Sequence, residues 1–385
     1  MRLGVAGLGV ASTLFLPGVE LHPHTGIVAA ADVRPAALEA FRRRYGGHTY
    51  ASVEELCADP ELDAVWIATP NEFHARHAIL AAEHGKHVIC TKPMALSVDE
   101  CIAMCAAASA NGVQLVCGQT FSMHPDIHLM REIVASGELG RTIAINSWLS
   151  TDWLLKPRVA EELDEARGGG VLYRHGPHLI DTVRLLGGGR VRSVRGSVGR
   201  WMTERPCAGN FSAFLEFDDG TPATISYNGY GYFDTSELTW GHGTRMYADD
   251  ERVAVRRGLT GAAGGEDGKA QIRFGVRDVA ARELSWFGLT VANCERGDVR
   301  QSPHGVYVYD ANGRREVAST REGRMGMLEM NELHAYLTDG QPIVHDGRWG
   351  LATLEVCTAV LESSRARREV TLMHQNAVAG ERAEA

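Results

Sequence analysis

A glycine-rich turn near the N-terminus constrains the fold of this chain more than any other feature. Leu3 to Ala6 is apolar, Gly7-x-Gly9 follows, and a second apolar run, Ile27 to Ala31, leads into Asp32. This pattern indicates a βαβ unit, which consists of a strand, a tight turn, a helix and a second strand that ends at an acid. In such a unit, backbone N–H groups and the helix N-terminus bind a pyrophosphate. The sequence therefore predicts a dinucleotide-binding fold.

Two charged residues at the end of the second strand bear on the choice of cofactor. Asp32 follows the glycines by about 20 residues, the spacing at which a carboxylate binds the adenosine ribose hydroxyls. Arg34 is the contrary indication, because a guanidinium pairs well with a 2′-phosphate. Since the acid would repel that phosphate, the sequence predicts NAD in preference to NADP.

The apolar pattern changes near Gly118. Before it, short strand candidates alternate with helices, which indicates a doubly wound parallel sheet in an α/β fold. Beyond it, longer strand candidates follow one another, and Asp218-Asp219-Gly220 is typical of a hairpin turn. At about 150 residues per domain, 385 residues suggest two domains. We predict a nucleotide-binding domain at 1–120, a substrate and oligomerisation domain at 121–374, and a flexible tail at 375–385.

Composition excludes several classes of function. A formal net charge of −9 argues against nucleic acid, which needs a concentrated basic face. No run of 18 apolar residues and no signal peptide is present, so no membrane partner and a cytoplasmic location are expected. The eight cysteines show no metal-binding spacing, and His124 with His128 lack a nearby third ligand. No metal is predicted.

The second informative stretch is Arg174-His175-Gly176-Pro177-His178, which follows the glycines 168–170. An arginine presents a planar fork suited to carboxylate, and a histidine has a pKa suited to general-base catalysis. We expect Arg174 in the first turn of the helix that follows, where a cation opposes the helix dipole and so suggests a ligand. A surface arginine and a structural core histidine are the alternatives.

Several motifs together resemble the Gfo/Idh/MocA oxidoreductases over nearly the whole chain. They are Gly7-x-Gly9, Thr69-Pro70-Asn71-x-x-His74, Lys92-Pro93, the glycine triplet followed by His178, and the two closing helices. The resemblance implies a Rossmann domain carrying NAD(P), a C-terminal α+β domain with a large open mixed, mainly antiparallel sheet, and a homo-oligomer (dimer or tetramer). Within the family, the runs 167–171, 185–189 and 227–230 are most similar to phthalate 4,5-cis-dihydrodiol dehydrogenases.

The resemblance also assigns catalytic roles, with two departures. The lysine of the family's Glu-Lys-Pro motif matches Lys92, but Thr91 replaces the glutamate. The family's Asp-x-x-x-His pair matches Arg174 and His178, so the histidine is kept while the acid has become a base. Lys92 and His178 are therefore expected to be catalytic, and Arg174 to bind an anionic substrate through charge-assisted hydrogen bonds.

Weaker expectations concern residues beside these motifs, for which loop packing or a solvated surface is the alternative. The expected substrate-binding residues are Arg174, Asp152, Arg158 and His175. The expected cofactor-binding residues are Gly7, Gly9, Val10, Asp32, Arg34, Thr69, Asn71, His74, Lys92 and Gln119.

The sequence thus predicts an NAD(P)-dependent oxidoreductase acting on CH-OH or CH-CH groups. The favoured reaction is oxidation of a carboxylated cis-dihydrodiol to a catechol by hydride transfer to NAD. A sugar, inositol or sugar-acid dehydrogenase is the alternative within the family. Further alternatives are a non-catalytic nucleotide-binding protein, and hydrolysis or elimination in which tightly held NAD stores a hydride transiently.

Overall fold

The computed structural model describes residues 1–118, 121–243, 247–259, 268, 270, 273–275, 286–319 and 323–380. The chain divides into two compact units, each made of three segments. The first contains Met1–Gln119, Glu266–Glu283 and Arg324–Leu354, and the second contains Thr120–Gly265, Leu284–Gly323 and Glu355–Ala385. Among the described helices, none is long and apolar enough to cross a membrane.

Six strands form the sheet of the first unit. They are β1 (Arg2–Ala6), β2 (Gly26–Ala31), β3 (His48–Tyr50), β4 (Ala64–Ile67), β5 (His87–Thr91) and β6 (Leu115–Gly118). Their order is β3-β2-β1-β4-β5-β6, and every neighbouring pair is parallel. In this arrangement the strand order reverses between β1 and β4, where open α/β sheets bind their ligands.

The helices between these strands are short and amphipathic or apolar. They are α1 (Val10–Val19), α2 (Pro35–Tyr45), α3 (Val53–Cys57), α4 (His74–Glu83) and α5 (Val98–Ala110). β4 is buried throughout, as expected for a central strand of a sheet covered on both faces. The edge strand β6 is also buried throughout, and its Val116 forms a bridge with Asp346. Phe15 of α1 stacks on Trp66 of β4 at 3.9 Å between ring centroids, which fixes the helix against the sheet.

Nine strands form the sheet of the second unit. They are β7 (Thr142–Ser150), β8 (Val191–Gly199), β9 (Asn210–Phe217), β10 (Pro222–Asn228), β11 (Leu289–Cys294), β12 (Gly297–Ser302), β13 (Gly305–Asp310), β14 (Gly313–Ala318) and β15 (Val370–Thr371). Their order is β14-β13-β12-β11-β7-β10-β9-β8-β15. Only β7 and β10 pair in parallel among these neighbours. The predicted mixed, mainly antiparallel sheet is confirmed.

The second sheet has one covered and one open face. Along β9, Phe211, Ala213 and Leu215 are buried, whereas Ser212 and Phe214 between them are exposed. This period of two is the pattern of an antiparallel sheet packed on one side only. The helix Gly176–Leu186 contacts β7 and β10.

Outside the first sheet's connections, the helices of the described residues are α6 (Pro125–Ala135), α7 (Ala160–Leu163), α8 (Val171–Arg174), α9 (Gly176–Leu186), α10 (Asp249–Arg257), α11 (Met327–Asp339) and α12 (Gly347–Ala366). Every residue of α9 is buried. Near its C-terminus, Arg184 donates hydrogen bonds to Gln375 and Asn376. Val378 is also buried, so the start of the predicted flexible tail is held by contacts that the sequence does not reveal.

Candidate active site

The glycine turn after β1 adopts the conformation that its sequence predicts. Gly7 has φ of +96°, and a Cβ built there would lie 2.6 Å from the carbonyl oxygen of Ala68. Gly9 is the N-cap of α1, and a Cβ there would contact nothing within 4 Å. Gly7 is therefore required by the protein's own backbone, whereas Gly9 leaves open space in front of the helix N-terminus, where a phosphate group fits.

Asp32 and Arg34 form one ion-paired unit beside this turn. The Asp32 carboxylate accepts hydrogen bonds from the backbone N–H of Leu8 at 2.8 Å and from Arg34 Nε at 3.0 Å. Arg34 Nη2 also donates to the carbonyl oxygen of Leu8 at 2.6 Å. The two residues that favour different cofactors in the sequence are thus bound to each other, and the acid is the more buried, at 7% against 34% side-chain exposure.

A cavity of about 550 Å³ opens beside the turn and lies within the first unit. It brings together five of the predicted cofactor-binding residues, namely Gly7, Gly9, Asp32, Arg34 and Thr69. It also contains residues that sequence reasoning missed, namely Ser52, Val53, Glu54, Phe73, Arg76, His77 and Arg273. Ser52 caps α3 by accepting a hydrogen bond from the N–H of Glu55. This capping pattern is the sequence signal that places the start of a helix at the residues 52–54 of the cavity lining.

His74 serves the protein backbone. The ring is buried, and its two nitrogens each lie 2.8 Å from a carbonyl oxygen, Nδ1 from that of Pro93 and Nε2 from that of Thr69. These contacts join the loop after β4 to the turn after β5. The structure thus gives His74 a structural role, and its contact with a cofactor stays a prediction.

The segment that contains Arg174 and His178 is two helices, with a break at His175. α8 ends at Arg174, His175 has φ of −128° and ψ of −28°, and α9 begins at Gly176 with Pro177 in its first turn. Arg174 is therefore at the C-terminus of a helix, where a cation is favourable. The expected position in the first turn of the following helix was wrong, so the dipole gives no argument for a ligand. The side chain of Arg174 is half-buried.

Aromatic rings surround the two histidines of this segment. His178 is 4% exposed, and its ring centroid lies 4.7 Å from that of Phe121 and 4.6 Å from that of Phe287. His175 lies 5.5 Å from Trp153 and 5.0 Å from Tyr227. These rings meet the histidine rings at angles between 57° and 87° and pack around them as a mostly buried aromatic lining.

Asp152 and Arg158 were both expected to line the substrate pocket, and both are buried in internal contacts. The Asp152 carboxylate accepts from the N–H of Tyr247 at 2.9 Å and lies 3.5 Å from Lys156 Nζ. Burial lowers the pKa of Lys156, and the Asp152 carboxylate opposes this effect. Arg158 pairs with Glu162 at 2.9 Å, and its other donors reach the carbonyl oxygen of Trp153.

Comparison with known proteins agrees with both units. The NAD-binding Rossmann fold model of an oxidoreductase family matches residues 1–119, and the GFO/IDH/MocA C-terminal domain matches residues 127–247. A 1-carboxy-3-chloro-3,4-dihydroxycyclohexa-1,5-diene dehydrogenase from Comamonas testosteroni is 34% identical over 95% of both chains. The chain belongs to the GFO/IDH/MocA family of oxidoreductases.

Other GFO/IDH/MocA relatives differ in the substrates that their names state. D-xylose 1-dehydrogenase (NADP(+)) 2 from Haloferax volcanii is 33% identical, over 74% of this chain and 79% of its own. Among solved structures, a provisionally assigned dehydrogenase from Bordetella bronchiseptica RB50 is 37% identical with a TM-score of 0.90 and covers 97% of this chain and 100% of its own. The match to the NAD-binding Rossmann fold model, together with these relatives, shows that the protein is an NAD-binding oxidoreductase.

Thr91 is the departure from the GFO/IDH/MocA motif whose contacts are clearest. It is buried, and its Oγ1 accepts a hydrogen bond from Trp66 Nε1 at 3.2 Å. A neutral hydroxyl therefore fills the position before Lys92, and the core of the sheet supplies its partner. Lys92 itself is half-buried, and its backbone N–H donates to the carbonyl oxygen of Gly118.

The remaining predicted cofactor residues of the GFO/IDH/MocA motifs have simpler placements. Val10 is the first residue of α1, and Asn71 is buried at the start of a single 3₁₀ turn. Gln119 lies outside the described residues. Neither Val10 nor Asn71 lines the 550 Å³ cavity, so their contact with a cofactor stays a prediction.

Proposed function

We propose that this protein is an NAD-dependent dehydrogenase that oxidises a carboxylated cis-dihydrodiol, of the phthalate 4,5-cis-dihydrodiol type, to the catechol. The observation that carries the proposal is the aromatic lining around His175 and His178, with the half-buried Arg174 next to them in the chain. Flat rings suit a cyclohexadiene, and a guanidinium suits its carboxylate. The name of the Comamonas testosteroni relative describes a ring of this class.

The geometry of the first unit supports NAD as the cofactor. The buried Asp32 carboxylate would repel a 2′-phosphate, and Arg34 already donates to Asp32 and to the carbonyl oxygen of Leu8. Gly7, Gly9 and the cavity beside them fit the pyrophosphate and ribose. When bound, NAD accepts the hydride that leaves the carbinol carbon.

Each catalytic residue then has a defined task. His178 takes the hydroxyl proton as the carbinol hydrogen leaves as hydride, a general-base role that contributes about 10²- to 10⁴-fold to rate. Arg174 binds a carboxylate away from the reacting carbons, and the catalytic role of Lys92 stays a prediction from its match to the family's lysine. The ketone produced tautomerises to the catechol, so that one hydride and one proton leave the diol in total.

A substrate panel tests this proposal. With NAD, the carboxylated dihydrodiol should give a higher kcat/KM than xylose, inositol or other neutral polyols, with net release of NADH. Higher activity on neutral polyols would instead support the sugar dehydrogenase alternative, which the Haloferax volcanii relative favours. If no substrate of the panel is turned over, and the rates of wild type, His178→Asn and Lys92→Met are equal, the protein is non-catalytic.

Reversal of charge at Arg174 tests the carboxylate contact. Arg174→Asp should weaken binding of the carboxylated diol by about tenfold to a hundredfold, the range for a charge-assisted hydrogen bond, and leave NAD binding unchanged. Titration calorimetry of each ligand measures both affinities. Equal losses for both ligands would point to a folding defect and contradict the assignment.

We further propose that the protein forms a homo-oligomer through the open face of the second sheet, against a second copy of this chain. Trp148 and Phe214 are 41% and 46% exposed on this face. Both residues line a shallow cavity of about 680 Å³ on it. Large exposed apolar groups on one face support an interface.

A further inference from the structure

Arg205 is a buried cation in the loop between β8 and β9. The residue is 3% exposed, and its Nε and Nη1 atoms form no hydrogen bond with any residue that the structure describes. The backbone holds the residue firmly, because its N–H donates to the carbonyl oxygen of Met202 and its own carbonyl accepts from the N–H of Cys207. The backbone of Arg205 is thus fixed, and its buried guanidinium keeps unused donors.

Arg158 provides a matched comparison within the same unit. It is 5% exposed, as deeply buried as Arg205, but Glu162 and the carbonyl oxygen of Trp153 accept hydrogen bonds from it. Glu162 also accepts from the N–H of Val159, so the nearby acid is already engaged. Arg205 has no equivalent partner among the described residues.

Arg205 has a second cation beside it. Burial lowers the pKa of Arg205 and the neighbouring Arg158 guanidinium lowers it further, whereas Cys207, Glu162 and Tyr247 raise it. A buried charge without a partner costs free energy that a bound counter-ion would recover. Binding of an anion would therefore stabilise the folded protein at this site.

Arg158, a neighbour of Arg205, links it to the aromatic lining described above. The Arg158 guanidinium lies 4.3 Å from the Trp153 ring centroid, and the Trp153 ring lies 5.5 Å from that of His175. The loop of Arg205 also reaches α8, since the carbonyl oxygen of Ala208 accepts from the N–H of Val171 at 2.9 Å. Both connections lie within the second unit.

We propose that Arg205 binds a second carboxylate of the substrate, so that the protein recognises a dicarboxylated ring. The identity of the ring rests on the proposed function, whereas the anion site rests on Arg205 itself. Arg158, which the sequence suggested as a substrate-binding residue, already donates to Glu162 and to the carbonyl oxygen of Trp153.

The sign of a stability change tests the proposal. Replacing an unpaired buried charge by an apolar side chain of similar length stabilises a protein, whereas breaking a buried pair destabilises it. Arg205→Met should therefore raise the Tm of the ligand-free full-length protein, and Arg158→Met should lower it, since Glu162 then loses its partner. Differential scanning calorimetry measures both. A fall in Tm for Arg205→Met would show a structural role and overturn the proposal.

Binding of phthalate, benzoate and sulfate provides the second arm. Phthalate should bind the wild-type protein more tightly than benzoate or sulfate, and Arg205→Met should weaken phthalate binding by about tenfold to a hundredfold. Arg205→Lys should recover part of this loss. Unchanged phthalate affinity in Arg205→Met, or sulfate binding as tight as phthalate binding, would overturn the assignment to a carboxylate.

The two arms separate this inference from the proposed function. If phthalate binding depends on Arg205 while turnover is confined to neutral polyols, the anion site stands and the proposed reaction fails. If the diol is oxidised but Arg205→Met binds phthalate as the wild-type protein does, the reaction stands and this inference fails.

Discussion

At the scale of single residues, ion pairing decides what a charged side chain can do. Asp32 and Arg34 favour different cofactors when read separately, but in the structure each limits the other. The acid is held by the N–H of Leu8 and by the guanidinium, which leaves Arg34 fewer donors for a phosphate. Arg158 and Arg205 show the same principle, because equal burial accompanies quite different hydrogen bonding.

Removal of the acid should change cofactor selectivity. Asp32→Ser releases Arg34 and removes the repulsion against a 2′-phosphate, so the ratio of the NADP Kd to the NAD Kd should fall by about tenfold to a hundredfold. Fluorescence titration of both cofactors measures the ratio. The double variant Asp32→Ser, Arg34→Ala is the control and should lose this gain. An unchanged ratio in the single variant would show that the acid does not select the cofactor.

At the scale of elements, the division between α8 and α9 corrects the sequence analysis. Pro177 suits the first turn of a helix because its ring fixes φ and its missing N–H would have no partner there. A new helix therefore starts after His175, and Arg174 closes the preceding one. The glycines and Pro177 were visible in the sequence, but the length of α8 depends on contacts such as that between Val171 and Ala208.

A histidine cluster couples the loop after α1 to α11. His22 is 4% exposed, and the rings of His24 and His334 lie 6.0 Å and 5.5 Å from its own. Burial, followed by the charges of His334, His24 and the amino terminus, lowers the pKa of His22 to about 4. The folded state thus keeps His22 neutral where an unfolded chain would bind a proton.

This cluster predicts a loss of stability in acid. Between pH 6.5 and 4 the unfolded chain binds the extra proton, so the free energy of unfolding falls as pH falls, by about 2 kcal/mol between pH 7 and pH 5. Chemical denaturation at the two pH values measures the difference. His22→Gln should remove most of that contribution. The same pH dependence in this variant would assign the effect to other groups.

At the scale of the whole molecule, each compact unit is assembled from separated parts of the chain. Arg324–Leu354 belongs to the first unit, where the carbonyl oxygen of His345 accepts from the N–H of Cys117 in β6. The sequence predicts this segment in the second domain, since it follows the second sheet in the chain. The helical pattern of 327–339 and 347–366 was readable, but the surface on which it packs was not.

The open face of the second sheet gives a prediction for the assembly. Trp148→Lys with Phe214→Lys should shift the protein from an oligomer to a monomer, because two charges would then be desolvated in the interface. Light scattering coupled to gel filtration measures the mass. Met373→Lys, at a residue 79% exposed on a loop, is the matched control and should leave the mass unchanged. A double variant that remains oligomeric would place the interface elsewhere.

The sequence alone determined the fold class, the glycine turn and the acid that follows β2. These features depend on local periodicity and on backbone conformations that only certain residues adopt, so they are readable over a few neighbouring positions. The partners of His74, Asp152, Arg158 and Arg205, and the segment that completes the first unit, were decided by the tertiary structure. The bond between Asp152 and Tyr247 joins residues far apart in the chain, and for buried polar groups in general the packed structure decides which donors are satisfied.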